Sequence, residues 1–226
     1  MPSALPTANA EPTAGSAAKS YPLLVVTAVA AEAAAVRAAL YGHRVVVEPV
    51  GVGPAAAAAG TARLLAAGRY RAVISAGIAG GFPGRAAVGA TVVGGRSVAA
   101  DLGAESPDGF LPIEELGFGT SVLPADPGLL GGLTAALPAA IVGDVLTLAT
   151  VTGTAETAAT LAARHPHAVA EAMEGFGVAV AAQGLPFAEV RTISNPIGPR
   201  DRATWRLREA LDALSTASAA LWKACG

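Results

Sequence analysis

Short apolar runs alternate with Ala-rich segments along most of this 226-residue chain. Residues 22–29 are continuously apolar, which is typical of a strand buried on both faces of a sheet. Residues 30–40 follow directly and are rich in Ala, the residue that most favours helix. This alternation predicts an α/β fold, in which helices cover a central mixed β-sheet on both sides and form three layers.

The same patterns predict the remaining elements. Further strands are predicted at residues 44–50, 71–76, 88–99, 140–151 and 187–193. Further helices are predicted at residues 54–67, 154–163, within 165–183, and at 201–222. Residues 101–140 hold many Gly and Pro residues without a period, which indicates a loop, a lid or crossing strands. We expect one domain over residues 21–226, preceded by a disordered extension of residues 1–20 that is rich in Ala, Pro, Ser and Thr.

Charge and cysteine usage exclude several classes of protein. The chain has 15 basic and 17 acidic residues, so its formal net charge is −2. Nucleic acids and anionic membranes attract basic surfaces, and neither is an expected partner. The single Cys225 excludes an intrachain disulfide framework and a cysteine-based metal site, which favours a cytoplasmic protein. His165 and His167 have no third ligand at a suitable spacing, so no metal is predicted.

Two segments near the C-terminus carry candidate site residues. Glu174 lies in the segment EAMEGF, and Asn195 lies in RTISNP at the end of the last predicted strand. Polar groups at the carboxyl end of a strand face the crevice where α/β enzymes bind ligands. Glu174 and Glu32 are both predicted on helices among apolar neighbours. Because a buried, unpaired carboxylate is costly, both are candidates for a functional role.

Two glycine-rich segments follow predicted strands. Gly51-Val52-Gly53 resembles the start of a dinucleotide-binding fingerprint, but Ala56 stands at the third glycine position. A tight strand–helix turn is therefore the simpler interpretation. Residues 77–81, with the sequence GIAGG, can bring backbone amides close to a ligand, or can mark a crowded point of the backbone. Ser194 lacks the G-x-S-x-G context of a hydrolase nucleophile.

The order of these segments resembles the nucleoside phosphorylase / methylthioadenosine nucleosidase superfamily. The resemblance rests on Glu32, residues 51–53, SAGIAGG at 75–81, AMEG at 172–175 and ISN at 193–195, and it covers residues 22–224. The segment SNPIGPRDRATW at 194–205 most resembles the futalosine hydrolases, the menaquinone-pathway members of that superfamily. The resemblance implies hydrolysis of the N-glycosidic bond of futalosine, which releases hypoxanthine and dehypoxanthine futalosine without a cofactor.

The resemblance also implies roles for individual residues. Met173 and Glu174 would bind the ribose, and Glu32 would position the attacking water. Asn195 would contact the purine at a position where the nucleosidases of adenine compounds have Asp. Other expected contacts to the base or ligand are Ala76, Gly77, Gly81, Phe82 and Asp201. The family further implies a homo-oligomer, most often a dimer, with residues 101–120 as the expected contact.

The amide of Asn195 has a physical interpretation. Hypoxanthine presents two acceptors on one edge, O6 and N7, and an Asn amide supplies two N–H donors. An ionised Asp would repel both acceptors. A mismatched polar group of this kind can discriminate by about 10⁴-fold or more. Asn195 therefore favours a 6-oxopurine over adenine as the leaving group.

Three alternatives remain open. A purine nucleoside phosphorylase would need a phosphate site, and Arg37, Arg63 and Arg85 stand in no phosphate motif. A methylthioadenosine/S-adenosylhomocysteine or aminodeoxyfutalosine nucleosidase is disfavoured by Asn195. A nucleoside-binding protein without catalysis is disfavoured by the two carboxylates in apolar segments.

Overall fold

The computed structural model describes residues 21–224, which form ten strands and six α-helices. The strands are β1 (Leu23–Thr27), β2 (Val45–Pro49), β3 (Ala72–Gly81), β4 (Thr91–Ala99), β5 (Gly103–Ser106), β6 (Gly109–Pro112), β7 (Val122–Pro124), β8 (Ile141–Thr147), β9 (Ala168–Ala172) and β10 (Phe187–Pro196). The helices are α1 (Ala30–Ala39), α2 (Pro54–Ala67), α3 (Pro127–Ala136), α4 (Ala155–Arg164), α5 (Gly175–Ala181) and α6 (Leu207–Ala224). The extension predicted at residues 1–20 lies outside the described residues.

Eight strands form one mixed sheet in the order β10-β4-β8-β9-β3-β1-β2, with β7 beside β4. Strand β3 runs parallel to β1 and β10 but antiparallel to β9. Strand β10 also pairs antiparallel with β4, so the sheet curls and β10 pairs with both β3 and β4. Strands β5 and β6 form a separate hairpin. The predicted mixed sheet is confirmed, with a curl that the sequence did not indicate.

Helices cover both faces of the sheet, as predicted. Successive residues of β1 alternate between two apolar clusters because neighbouring side chains of a strand point to opposite faces. Leu23 and Val25 pack with residues of α1, α3 and α6 on one face, and Leu24 and Val26 pack with residues of α2 and α5 on the other. A Cβ at Gly177 would lie 2.2 Å from the Pro54 carbonyl oxygen, so glycine allows α5 to approach the start of α2 closely.

The expectation that residues 77–81 form a segment after the strand is wrong. Strand β3 continues to Gly81, and Gly77 to Gly81 pair with Arg191 to Pro196 of β10. A Cβ at Gly81 would lie 2.2 Å from the Ala86 carbonyl oxygen, which is closer than real Cβ contacts allow. Gly81 therefore allows close packing against the loop that follows β3, as expected for a crowded point of the backbone.

The expectation that Glu174 lies on a helix is also wrong. Residues Ala168–Ala172 form β9, and α5 begins only at Gly175, with Glu174 as its N-cap residue. Strand β9 pairs with β8 and β3. These long-range pairings override the helix preference of Ala, which is a weak constraint on its own.

Residues 101–140 contain the β5–β6 hairpin, β7 and α3. Helix α3 has recognisable start signals, since Asp126 caps it by accepting a hydrogen bond from the Leu129 N–H and Pro127 occupies the first turn. No helix of the described chain is long and apolar enough to cross a membrane.

Candidate active site

A cleft opens at the carboxyl ends of β1, β3 and β10. Its larger cavity, of about 240 Å³, is lined by Glu32, Met173, Glu174 and Asn195, among other residues. A smaller cavity of about 90 Å³ adjoins it. The two cavities share Gly80, Val151, Glu171, Asn195 and Trp205. The structure thus brings four of the sequence-predicted residues to one cleft.

Glu32 is fixed by backbone amides. Its side chain is buried, with one carboxylate oxygen accepting hydrogen bonds from the N–H groups of Ala28 and Val29 at 2.9 and 3.2 Å. The other oxygen accepts from the Ile78 N–H at 2.9 Å. Glu32 therefore closes the start of α1 and ties it to the end of β3. These donors offset the cost of burying the carboxylate.

Glu174 is held from two sides at the start of α5. Its Oε1 accepts from the Gly53 N–H at 3.3 Å, and its Oε2 accepts from the Met173 N–H at 3.3 Å. Gly53 has a φ of 91°, so this glycine suits the strand–helix turn that leads into α2. The Gly51–Gly53 segment is thus a turn, and it also donates an amide to a candidate catalytic carboxylate.

Arg191 is the centre of a buried ion network that the sequence did not reveal. Its Nη1 donates to Glu174 Oε2 at 3.3 Å, its Nε to Glu189 Oε1 at 2.8 Å, and its Nη2 to Ser75 Oγ at 3.0 Å. The Ser97 hydroxyl donates to the other oxygen of Glu189. Burial alone would lower the pKa of Arg191, but the neighbouring carboxylates hold the pKa above its ordinary value. One signal was available, since Glu189 and Arg191 are opposite charges on the same face of an otherwise apolar strand.

Two glycines leave room for this network. A Cβ at Gly77 would lie 2.7 Å from both Arg191 Nη1 and Glu32 Oε1, so both groups occupy space that a side chain at this position would need. A Cβ at Gly175 would lie 2.2 Å from Glu189 Oε2. Gly77 therefore lies behind Glu32 and Arg191, although it does not itself line either cavity.

Glu171 and Asn195 lie on either side of Gly80. In the sheet register, Gly80 of β3 pairs with Asn195 of β10 and with Glu171 of β9. The Ser194 hydroxyl lies 2.8 Å from Asn195 Oδ1, and Asn195 Nδ2 donates to the Pro196 carbonyl at 2.9 Å. Glu171 is 4% exposed and accepts from the Thr152 N–H at 2.7 Å and from the Thr152 hydroxyl. Burial raises the pKa of Glu171, and the two Thr152 donors oppose that rise.

Comparison with known proteins decides the family. The sequence profile of the Phosphorylase superfamily matches residues 11–225. The chain belongs to this superfamily. Curated relatives within it include the futalosine hydrolase of Streptomyces coelicolor, which is 56% identical over 174 residues, or 74% of each chain. The futalosine hydrolase of Acidothermus cellulolyticus is 47% identical over 218 residues, or 88% of this chain and 89% of that one. The family resemblance predicted from the motif order is confirmed.

Solved structures of the superfamily share the fold. The futalosine hydrolase of Helicobacter pylori superposes with a TM-score of 0.76, at 16% identity, over 91% of this chain and 97% of that one. The S-adenosylhomocysteine nucleosidase of Streptococcus pyogenes, in complex with 5-methylthiotubericidin, gives a TM-score of 0.79 at 20% identity over 90% and 97% of the two chains. The three-layer architecture predicted for the chain is that of this superfamily.

Five residues that the superfamily resemblance implied are not part of the cleft lining. Gly77 lies behind Glu32, and the other four lie farther away. Ala76 is fully buried in the apolar cluster beneath α1 and α6, because it faces the opposite side of β3. Gly81 lies against Ala86, as described above. Phe82 packs in a separate apolar cluster with Leu146 and Leu148. Asp201 is exposed and accepts from the Ala203 N–H at 3.0 Å, which caps a short 3₁₀ turn.

The arginines considered for a phosphate site are engaged elsewhere or absent from the cleft lining. Arg85 donates to the carbonyl oxygens of Ala162, His165 and Ala168 at 2.8 to 3.0 Å. Arg37 pairs with Glu48 at 3.2 Å on the surface, and Arg63 is exposed on α2. Within residues 21–224, no group of three His, Cys, Asp or Glu side chains is placed to hold a metal ion.

Proposed function

We propose that this chain hydrolyses the N-glycosidic bond of futalosine and releases hypoxanthine and dehypoxanthine futalosine, a step of menaquinone biosynthesis. The observation that carries the proposal is the joint placement of Glu32, Glu174 and Asn195 on one cleft at the carboxyl ends of the strands. The curated relatives at 56% and 47% identity, which are futalosine hydrolases, support it.

Glu174 and Met173 form the sugar side of the proposed site. A carboxylate accepts about four hydrogen bonds, and Glu174 receives three from the protein. Acceptor capacity therefore remains for a ribose hydroxyl. Met173 lies next to it in the larger cavity and offers an apolar contact to the sugar.

The charge around the sugar side suits a dissociative reaction. In such a reaction the C1′–N9 bond breaks ahead of attack, and positive charge develops on the ribosyl ring. Glu32, Glu174 and Glu189 surround the single guanidinium of Arg191, so carboxylates outnumber the cation. Fixed negative charge near a developing cation lowers the barrier because it needs no reorganisation during the reaction.

Glu32 is the proposed base that orients and deprotonates the attacking water. It lines the larger cavity beside Glu174, and its oxygens are already fixed by three backbone amides. A base must reach the proton that it removes with defined geometry, and a fixed carboxylate meets that condition. Transfer of one water proton to Glu32 and attack of the hydroxide oxygen on C1′ would form the sugar product. Return of that proton from Glu32 through solvent to the departed hypoxanthine anion would complete the hydrolysis and restore the carboxylate.

Asn195 forms the base side of the proposed site. The Ser194 hydroxyl donates to the amide oxygen of Asn195, and one amide N–H donates to the Pro196 carbonyl, so one N–H remains available as a donor to the base. Donation from this N–H to O6 or N7 would stabilise the negative charge that accumulates on departing hypoxanthine. Val151 and Trp205 line both cavities and would provide apolar walls for the flat ring.

A homodimer in the cytoplasm is part of the proposal. In the segment 101–120, Phe118 is 81% exposed, and an apolar side chain of this size suits burial by a partner subunit. Val52 and Leu207, at the rim of the larger cavity, are also about half exposed, at 54% and 45%. Sedimentation velocity of the purified protein would test the assembly, and a monomer at micromolar concentration would contradict it.

Chromatography of reaction products tests the proposed reaction. Futalosine, inosine and methylthioadenosine are each incubated with the enzyme, with and without phosphate. We expect hypoxanthine from futalosine at the same rate in both conditions. A requirement for phosphate would indicate a phosphorylase, and release of adenine from methylthioadenosine at a matching rate would indicate an adenine nucleosidase.

A further inference from the structure

We propose that Glu171 accepts the N1–H of the purine, so that Glu171 and Asn195 together select a 6-oxopurine. The inference rests on the proposed function, in which the leaving base is hypoxanthine. Glu171 is a buried carboxylate on the wall of both cavities that the proposed hydrolysis does not use.

The sheet register places Glu171 and Asn195 on either side of Gly80. Gly80 pairs with Asn195 on one side and with Glu171 on the other. Residues that pair directly across neighbouring strands share a face of the sheet. Adjacent strands are about 4.8 Å apart, so the two Cα atoms are separated by roughly 10 Å. A Cβ at Gly80 would lie 2.7 Å from Ile197 Cγ2 and 3.6 Å from Asn195 Nδ2, so Ile197 packs over Gly80 itself. The purine would therefore lie in the adjoining cavities, which Glu171 and Asn195 both line.

The hydrogen bonds of Glu171 leave it able to accept more. The Thr152 N–H donates to one carboxylate oxygen and the Thr152 hydroxyl donates to the other. Each oxygen of a carboxylate can accept about two hydrogen bonds. Within residues 21–224, no Lys, Arg or His forms an ion pair with Glu171. Each oxygen of the Glu171 carboxylate therefore keeps an acceptor position, and Glu171 lines the smaller cavity.

The hydrogen-bonding pattern of hypoxanthine matches this pair. Hypoxanthine carries a donor at N1 and acceptors at O6 and N7, so the carboxylate would face a donor and the Asn195 amide would face acceptors. Adenine has a lone pair at N1, which would face the Glu171 carboxylate without a proton between them. A site whose buried polar group is left unpaired rejects the wrong ligand strongly.

A different role for Glu171 would be support of the loop at residues 151–154 through Thr152 alone. The two roles are separated by hypoxanthine and 1-methylhypoxanthine, which differ only in the substituent on N1. Loss of loop support would weaken the binding of every purine, whereas loss of the N1–H contact would weaken only those purines that carry this proton.

The test is calorimetric binding of hypoxanthine, 1-methylhypoxanthine and adenine to the full-length protein. The variants are Glu171→Gln and the matched control Glu156→Gln, since Glu156 is an exposed carboxylate on α4. In the wild type, hypoxanthine should bind about 10–100-fold more tightly than 1-methylhypoxanthine, the size expected for a hydrogen bond to a charged group. In Glu171→Gln this ratio should fall toward one and adenine should bind more tightly, because the new amide presents an N–H to N1. The control should behave as the wild type.

Two results would overturn the proposal. One is equal affinity of the wild type for hypoxanthine and 1-methylhypoxanthine, a measurement that does not depend on the variant folding. The other is an equal loss of all three bases in Glu171→Gln, which would assign Glu171 to loop support. Base binding is measured without turnover. If futalosine is not hydrolysed but the N1–H preference persists, only the proposed reaction fails.

Discussion

Arg191 donates to Glu174 at 3.3 Å while both side chains are almost completely excluded from solvent, at 1% and 8% exposure. Arg191 also binds Glu189 at 2.8 Å. A buried carboxylate without a partner would be costly, and this arrangement supplies one while leaving Glu174 at the cavity wall. The ion network therefore sets the position of a residue that we assign to the chemistry.

Replacement Glu174→Gln should lower kcat on futalosine by about 100-fold or more, because a neutral amide cannot stabilise the developing ribosyl cation. The fold should persist, since Gln is isosteric and Arg191 keeps Glu189 and Ser75 as partners. Steady-state kinetics and thermal unfolding followed by circular dichroism measure the two effects. Turnover near that of the wild type would remove Glu174 from the site.

Replacement Gly77→Ala should disturb the carboxylates without touching the substrate directly. The added methyl group would lie 2.7 Å from Arg191 Nη1 and Glu32 Oε1. Overpacking of this kind costs about 1–3 kcal/mol of stability. Displacement of the Glu32 carboxylate, the proposed general base, by about 1 Å can reduce kcat by up to about 100-fold. Gly131→Ala is the matched control, since nothing lies within 4 Å of its added methyl group on α3. If Gly77→Ala retains full activity and stability, the positions of Arg191 and Glu32 do not depend on the missing side chain at residue 77.

Replacement Asn195→Asp should shift the preference from futalosine toward adenine nucleosides. A protonated Asp can donate to N7 and accept from the 6-amino group, whereas an ionised Asp repels O6 and N7 of hypoxanthine. The ratio of kcat/KM values for futalosine and methylthioadenosine is the measurement. An unchanged ratio would mean that the base is recognised elsewhere.

The acid limb of the pH profile should report Glu171. Burial raises its pKa, with a smaller contribution from the charge of Asp101. As the pH falls through this raised pKa, the carboxylate takes up a proton and can no longer accept the purine N1–H, so KM for futalosine should rise. Burial favours the protonated form of Glu171, so this group stabilises the folded protein more as the pH falls. The rise in KM at low pH would therefore not result from unfolding caused by protonation of Glu171. Glu171→Gln should remove this part of the KM profile, and an unchanged profile would contradict the assignment.

Sequence patterns located those site residues that stand next to a recognisable element. Glu32 follows the apolar run of β1, Met173 and Glu174 stand in AMEG, and Asn195 ends β10. Glu32 and Asn195 could be predicted because a local pattern places each of them just beyond the carboxyl end of a predicted strand. Met173 and Glu174 could be predicted only through the resemblance of AMEG to the superfamily, which assigns their role but not their place before α5.

The remaining parts of the site depend on long-range pairing. Strand β9 is only five residues long and Ala-rich, so its sequence favours helix and does not indicate where Glu171 lies. The role of Gly80 arises because β9 and β10 flank β3, which no local period indicates. Arg191 stands in the segment RTISNP, but its partner Glu174 is 17 residues away in the chain and contacts it only in the folded protein.

The most direct test of the proposed specificity is a comparison of wild-type kcat/KM for futalosine and for its 6-amino analogue, aminodeoxyfutalosine, under identical conditions. The two substrates differ at the purine edge that Glu171 and Asn195 are assigned to recognise. We predict a preference for futalosine of about 10⁴-fold or more, the size expected when buried polar groups meet the wrong pattern of donors and acceptors. Equal values, or faster release of adenine, would contradict the assignment of this cleft to a 6-oxopurine.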